Sequence, residues 1–377
     1  MTPPKLTYCG NVHPAEDLAG WRESVTRWSV PVARGLARPF GLGVWWTAAT
    51  AAKLAHDSSE RDRTRDLLVA AGLEIWTLNV FPYAGFHATR VGTSVYEPSW
   101  ACEERVVYTR DAASAAAELC ARGAVLPLST LPLGYEAPGE VLLDRRKCAR
   151  NLARIASAFA DLEARTGVRA ILALEPEPMC ALETVAQTVA FLEEWVFRAG
   201  AWFTIPESQL RRHLGICVDL CHLAVVGEDP LLAAALCTRH GIEVAKIQVS
   251  SALELRDGAE IAALLAFDEP RYLHQTVADT GARALDLAEV ARRRAEFADA
   301  RNVRTHFHMP VFWDSDGPLG STRSQLVTAL RGWPRPLPLL EVETYTWGVL
   351  PESSPARSDL VAGLREELRF VSSLLSS

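Results

Sequence analysis

The feature that most constrains this chain is an alternation that runs from end to end. Short apolar runs rich in β-branched and aromatic residues take turns with longer stretches of helical spacing. LTYCGNVH (6–13) reads as a strand, and residues 17–37 then space Leu18, Trp21, Val25, Trp28 and Val32 as one helix face does. FGLGVWW (40–46), LEIWTLNVF (73–81), AVLPLSTLPL (124–133), RAILALEPEP (169–178), HLGICVDLCH (213–222), IEVAKIQVSS (242–251), VRTHFHMPVF (303–312) and PLLEVETYTW (338–347) read as further strands. Helices are expected between them, with Gly72 and Gly167 as C-terminal stops and a last helix over 358–375. Strand–helix alternation implies a parallel sheet covered by helices, and near-continuous apolar strands imply burial on both faces. That makes nine strand candidates, one more than a closed eight-strand barrel needs. We therefore expect a single α/β domain over 1–377, a (β/α)8 barrel, with 303–312 inside an elaborated connection before the last strand. An insertion is expected around 252–302, where the alternation slackens. An open doubly wound sheet is the alternative, but no Gly-x-Gly-x-x-Gly turn supports a dinucleotide site.

Composition narrows the function. The formal charge is 39 − 46 = −7, and 49% of residues are hydrophobic. An acidic balance without basic runs gives no attraction to nucleic acid or anionic membranes, so neither is an expected partner. No apolar stretch approaches the ~18 residues that span a bilayer, and MTPPKLTYCG lacks the pattern of a secretory signal. Eight scattered cysteines without a Cys-x-x-Cys pair fit reduced, buried thiols, and the expected location is the cytoplasm.

Ionisable residues recur where the apolar runs end. Residues two apart on a strand share a face, so Glu175 and Glu177 pair, as do Lys246, Gln248 and Ser250, His306 and His308, and Glu341, Glu343 and Tyr345. Each has an ordinary reading. Glu175 could belong to a surface acidic turn, with Pro176 and Pro178 marking an ordinary strand exit, and Glu177 could be merely exposed. Asp219 could hydrogen-bond backbone amides, with His222 three residues on as a cap. Gln248 could bind substrate rather than a cation, and the two histidines could form a packed aromatic surface. Glu, Asp, His and Glu at successive strand ends form a less accidental set than any member alone. Oxygen and nitrogen donors of this kind suit Mn²⁺, Zn²⁺, Co²⁺ or Mg²⁺. The candidate ligands are Glu175, Asp219, His222, Gln248, His308 and Glu341.

At these residues the sequence resembles the xylose-isomerase-like barrel superfamily of sugar isomerases, ketose epimerases and endonuclease IV. Glu175, Asp219 with His222, and Glu341 match that superfamily's metal set in order and strand position, and the likeness covers most of the chain. A closer likeness is to EboE-type metabolite traffic proteins of bacterial biosynthetic clusters. LALEPEP, CVDLCHLAV, KIQVSSAL, YLHQ, HFHMPVF, LEVETYTWGVLP, TYCGNVHP and FGLGVWW carry it. Where many superfamily members have a histidine this chain has Gln248, so the resemblance implies His308 in its place. It also implies Asn11, His13, Trp45 and Trp46 near the mouth, and a sugar, sugar phosphate or cyclitol as substrate. An isomerase or epimerase would then use Glu175 and Glu341 as acid and base, aided by His13 or His306. Asn11, Glu177, His306, Trp45, Trp46 and Trp347 would hold the substrate, and Arg256, His274 and Gln275 could line the pocket from the insertion. Metal-assisted phosphoester hydrolysis is a second possibility, and a non-catalytic binding protein a third. The insertion could equally serve as a lid or as a contact in a homo-oligomer or with pathway partners.

Overall fold

A computed structural model describes residues 4–36, 39–137, 139, 141–198, 204–256, 260–267, 269, 271–347 and 359–375. Residues 348–351 of LEVETYTWGVLP, Ala37, Ala199, Ser358 and residues 257–259, 268 and 270 within the expected insertion lie outside them.

Seven strands follow one another along the chain: β1 (Leu6–Tyr8), β2 (Leu42–Trp45), β3 (Ile75–Asn79), β4 (Val125–Thr130), β5 (Arg169–Leu174), β6 (Leu214–Asp219) and β7 (Glu243–Val249). After Ser250 come β8 (Ser251–Leu255), β9 (Thr276–Ala278), β10 (Arg283–Ala284), β11 (Val303–Met309), β12 (Ser315–Asp316) and β13 (Leu319–Ser321), and finally β14 (Leu339–Val342). The first seven and β14 form one parallel sheet in the order β1-β14-β7-β6-β5-β4-β3-β2. A single parallel bridge, Cys9 to Gly43, joins the two ends and closes the expected eight-strand barrel. The seam needs glycine: a Cβ on Gly43 would sit 2.4 Å from the Tyr8 carbonyl oxygen, and one on Gly10 2.7 Å from that of Gly43.

Local chemistry places the covering helices. Asp57 accepts hydrogen bonds from the Ser59 and Glu60 amides to start Ser58–Ala71, which Gly72 ends at φ 65°. Asp144 starts Arg145–Thr166 through the Lys147 amide, and Gly167 ends it at φ 74°. Both glycine stops are as expected. The barrel strands are buried almost throughout, and the core is continuous between strands and helices.

The ninth candidate strand, 303–312, becomes β11, and it lies outside the barrel. It is central in an antiparallel sheet of order β10-β9-β11-β8-β13-β12, built between β7 and β14. Because β8 follows β7 after one residue, this sheet rises directly from the barrel mouth. At the other end of the chain, LTYCGNVH does not stay extended. The strand stops at Tyr8 and Gly10–Val12 forms a tight helical turn, so the two-residue alternation fails before His13.

A candidate metal centre at the barrel mouth

Three carboxylates converge at the strand ends. Glu175 follows β5, Asp219 ends β6 and Glu343 follows β14; all are buried. Each places an oxygen within 4.8 Å of the others. Asp219 Oδ1 accepts from the His222 amide at 3.0 Å and from the Ser250 hydroxyl at 2.7 Å. Glu343 Oε1 accepts from Asn11 Nδ2 at 2.7 Å and Asn79 Nδ2 at 3.1 Å, and its other oxygen accepts from the Gln248 amide. Asp219 Oδ2 and Glu175 Oε2 are buried with no hydrogen-bond partner. Burial, then the charges of Glu343 and Asp219, pushes the Glu175 carboxyl well above its usual range. Burial likewise pushes Glu343 up to about 7. Three crowded carboxyl groups, two of them with orphaned oxygens, are a donor set that a cation would fit by offsetting their charge.

Three imidazoles meet beside them. His222 lies in the first turn of the helix Leu220–Val226, which Asp219 caps; His306 and His308 share one face of β11. Every Nδ1 faces an acceptor: the Pro176 carbonyl at 3.0 Å for His222, Gln275 Oε1 at 2.8 Å for His306, and the Glu343 carbonyl at 2.9 Å for His308. The Gln275 amide is oriented by its Nε2, which donates to Tyr96 Oη at 2.8 Å and Glu177 Oε1 at 3.2 Å. Each Nδ1 therefore carries a proton, and each ring points its Nε2 inward. Those nitrogens lie 3.1 Å apart for His222 and His306 and 2.9 Å apart for His306 and His308. Lone pairs at that distance repel unless a proton or a cation sits among them. Burial holds His222 and His306 well below the usual imidazole range, which disfavours the proton. Two nitrogens on one tetrahedral ion, with bonds of ~2.0–2.1 Å, lie roughly 3.3 Å apart. Nδ1 donors on carbonyl acceptors are the outer contacts that metal-bound histidines make. Asp219 belongs to both sets, with an oxygen within 4.8 Å of the His222 and His308 nitrogens as well.

The expected residues are distributed unevenly. Glu175, Glu177, His222, His306, His308 and Asn11 line one cavity together with Glu343, and Asp219 sits within its ligand cluster. Glu341 is elsewhere. It is fully buried one layer below, ion-paired with Lys246, and its Oε1 occupies the space left by Gly43. The cause is strand tilt. Glu341 is in register with Gln248, and Gln248 with Asp219, but in a tilted barrel the residues at one height climb along successive strands. Glu343, two residues on, reaches the level of Asp219. Gln248 spends its amide nitrogen on Glu343 and its oxygen on the Cys217 thiol at 3.2 Å, so it orients a carboxylate.

His13 is also displaced. It stacks on Trp28 with 4.6 Å between centroids and bonds the Tyr8 hydroxyl at 2.9 Å, outside the cavity lining. Trp45 donates to the Pro82 carbonyl, Trp46 packs against Trp21, and Trp347 donates to the Thr344 carbonyl; none lines the cavity. From the insertion, Gln275 joins the site, His274 stacks on Phe307 behind it, and the exposed Arg256 reaches Asp314. Asn79, Phe81, Phe86, Tyr96 and Tyr272 line the cavity without having been singled out in the sequence. Asn79 ends an apolar strand as Glu175 does, but its uncharged side chain gives no electrostatic signal; the others lie in long loops.

No family model matches the chain, and no curated protein matches it. Among solved structures it is similar to an L-ribulose 3-epimerase at 13% identity, covering 100% of this chain and 95% of that one with a TM-score of 0.49. It is also similar to an IolI protein with a bound zinc atom, at 12% identity, covering 99% and 98% with a TM-score of 0.46. An AP endonuclease of family 2 from Brucella melitensis matches at 16% identity over 66% of this chain and 79% of that one, with a TM-score of 0.36.

Proposed function

We propose that the chain is a divalent-metal-dependent isomerase or epimerase of a sugar-like or cyclitol substrate. The observation that carries this is the convergence of three inward-facing Nε2 atoms and three buried carboxylates, two with orphaned oxygens, at the barrel mouth. Glu175, Asp219 and Glu343 would hold an ion from the carboxylate side, and His222, His306 and His308 from the imidazole side. Imidazoles beside carboxylates suit Zn²⁺, Co²⁺ or Mn²⁺. Such an ion, when bound, polarises a carbonyl or hydroxyl oxygen and stabilises the charge developing on it.

The protein's own groups supply the proton handling. Glu177 lines the cavity, with Oε1 held by the Tyr96 hydroxyl at 2.6 Å and by Gln275. Its second oxygen is left to a substrate proton. Burial pushes its carboxyl up to about 8, so it exchanges protons near neutral pH. Glu341, sealed against Lys246, does not serve as acid or base in this proposal. The EboE-type likeness, with its placement in a biosynthetic cluster and a polyol metabolite as partner, belongs to the same proposal.

Phosphoester hydrolysis is the second reading, favoured by one observation. Asp219 belongs to two ligand sets, which is how a shared carboxylate would stand between two ions.

Metal content of the purified chain, beside Asp219→Asn and Glu343→Gln, tests both. About one divalent ion per chain, lost in both variants, is the expected result. Two or more ions with turnover of bis(p-nitrophenyl) phosphate would favour the hydrolase. No ion after incubation with Mn²⁺, Co²⁺ and Zn²⁺ overturns both and leaves a metabolite-binding protein.

A further inference from the structure

The cavity has two unlike sides. Its floor is the ionisable cluster; its wall is aromatic and aliphatic. Phe86, Tyr272 and Tyr345 pack on one another with centroids 5.0–5.4 Å apart, and Tyr345 stacks on His308 at 4.6 Å. Phe81, Val91 and Val95 extend this wall from the loop after β3. Among the described residues, no lysine or arginine lines the cavity.

Two buried cations near the cavity are engaged elsewhere. Lys246 lies beneath the floor against Glu341, and Arg105 donates to the carbonyls of Val80, Phe81 and Pro98. Arg271 is exposed, outside the wall, with its guanidinium 6.0 Å from the Tyr272 ring centroid. The floor's amides are likewise engaged: Asn11 and Asn79 both donate to Glu343. A phosphate inside this cavity would lose its hydration without gaining a protein cation. A ligand with many hydroxyls would find few donors beyond the floor, whereas an apolar face meets continuous ring surface.

We infer that the substrate is an uncharged molecule with two adjacent oxygens at one end and an apolar remainder, and that sugar phosphates are excluded. This rests on the metal-centre proposal above, since the oxygen-bearing end is placed on the metal. It narrows that proposal to a class: a neutral hydroxylated ring carrying a hydrophobic face or substituent.

Three probes share one metal-binding head and differ in the tail. They are acetohydroxamate, benzohydroxamate and phosphonoacetohydroxamate, titrated calorimetrically into full-length, metal-loaded protein whose metal content has been counted. Burial of the phenyl ring should make benzohydroxamate roughly tenfold tighter than acetohydroxamate, and the phosphonate weaker than both. Tyr272→Ala, at a half-buried wall position, and Phe86→Leu should each shrink the ratio of benzohydroxamate to acetohydroxamate affinity. Tightest binding by the phosphonate overturns the inference, as does equal affinity for the first two probes. Failure of all three to bind metal-loaded protein overturns it as well. In each of those cases the counted metal shows that the metal-centre proposal still stands; a chain that takes up no metal refutes that proposal itself.

Discussion

The Lys246–Glu341 pair separates the structural role of the last strand from its ligand role, and Lys246→Met isolates it. Both side chains are fully buried. The Lys246 ammonium donates to Glu341 and, at 3.3 Å each, to the Thr77 hydroxyl and the Leu78 carbonyl. Burial pulls Lys246 toward the neutral form, but Glu341 beside it more than offsets this, and the net shift is upward. Methionine fills similar volume and removes the charge. Glu341 would then be buried as a lone carboxylate, with Oε1 already without a hydrogen bond. Breaking one side of a buried pair costs about 3–5 kcal/mol. For 377 residues at ~2.1 cal/mol/K each, that is a fall in Tm of roughly 5 °C. Lys246→Met/Glu341→Leu removes both charges and should recover most of the loss. The assay is thermal unfolding of the two variants beside metal counting. The double variant should keep its metal, whereas Glu343→Gln should not. A single-variant shift below ~1 °C, or metal lost from the double variant, would refute the assignment of Glu341 to the layer below the ligands.

Gln275→Leu removes the acceptor of the His306 Nδ1 proton without touching a ligand, so metal affinity measured against a competing chelator should fall about 10–100-fold; unchanged affinity would contradict the inward-facing Nε2 geometry. Glu367, on the last helix, accepts from the Val311 amide at 3.0 Å and the Thr344 hydroxyl at 2.7 Å, and burial pushes its carboxyl up to about 8. Because the folded value lies above the unfolded ~4.5, its stabilisation is complete below that pH and lost as pH rises through 8. Glu367→Gln should therefore flatten the decline in Tm between pH 6 and 9, and parallel slopes for variant and parent would refute it.

The barrel was legible because parallel strands buried on both faces leave apolar runs that a sequence displays directly. Glu175, Asp219 and His222 were legible for a related reason: each sits where such a run stops. Glu343 was read as a neighbour of Glu341 on the same face, which it is, but parity says nothing of height, and tilt decides height. The antiparallel sheet left a weaker trace. Its short strands, two residues long in β10 and β12, carry little period, so β11 stood alone as a ninth candidate. Its two histidines were nonetheless visible as a same-face pair. His13 misled because a tight turn intervenes between it and the strand that was expected to carry it.

The closure between β1 and β2 sets a rhythm for the whole mouth. Every other neighbouring pair of barrel strands shares a ladder, while this one shares a single bridge held by two glycines. With the fewest backbone hydrogen bonds of the strand pairs described, this seam is where local opening of the barrel would be expected to start. Asn11 stands just beyond that bridge and grips Glu343 at 2.7 Å. An opening there would slacken the hold on Glu343, and if the proposed ion binds, its residence time would be tied to a seam on the barrel's first strand.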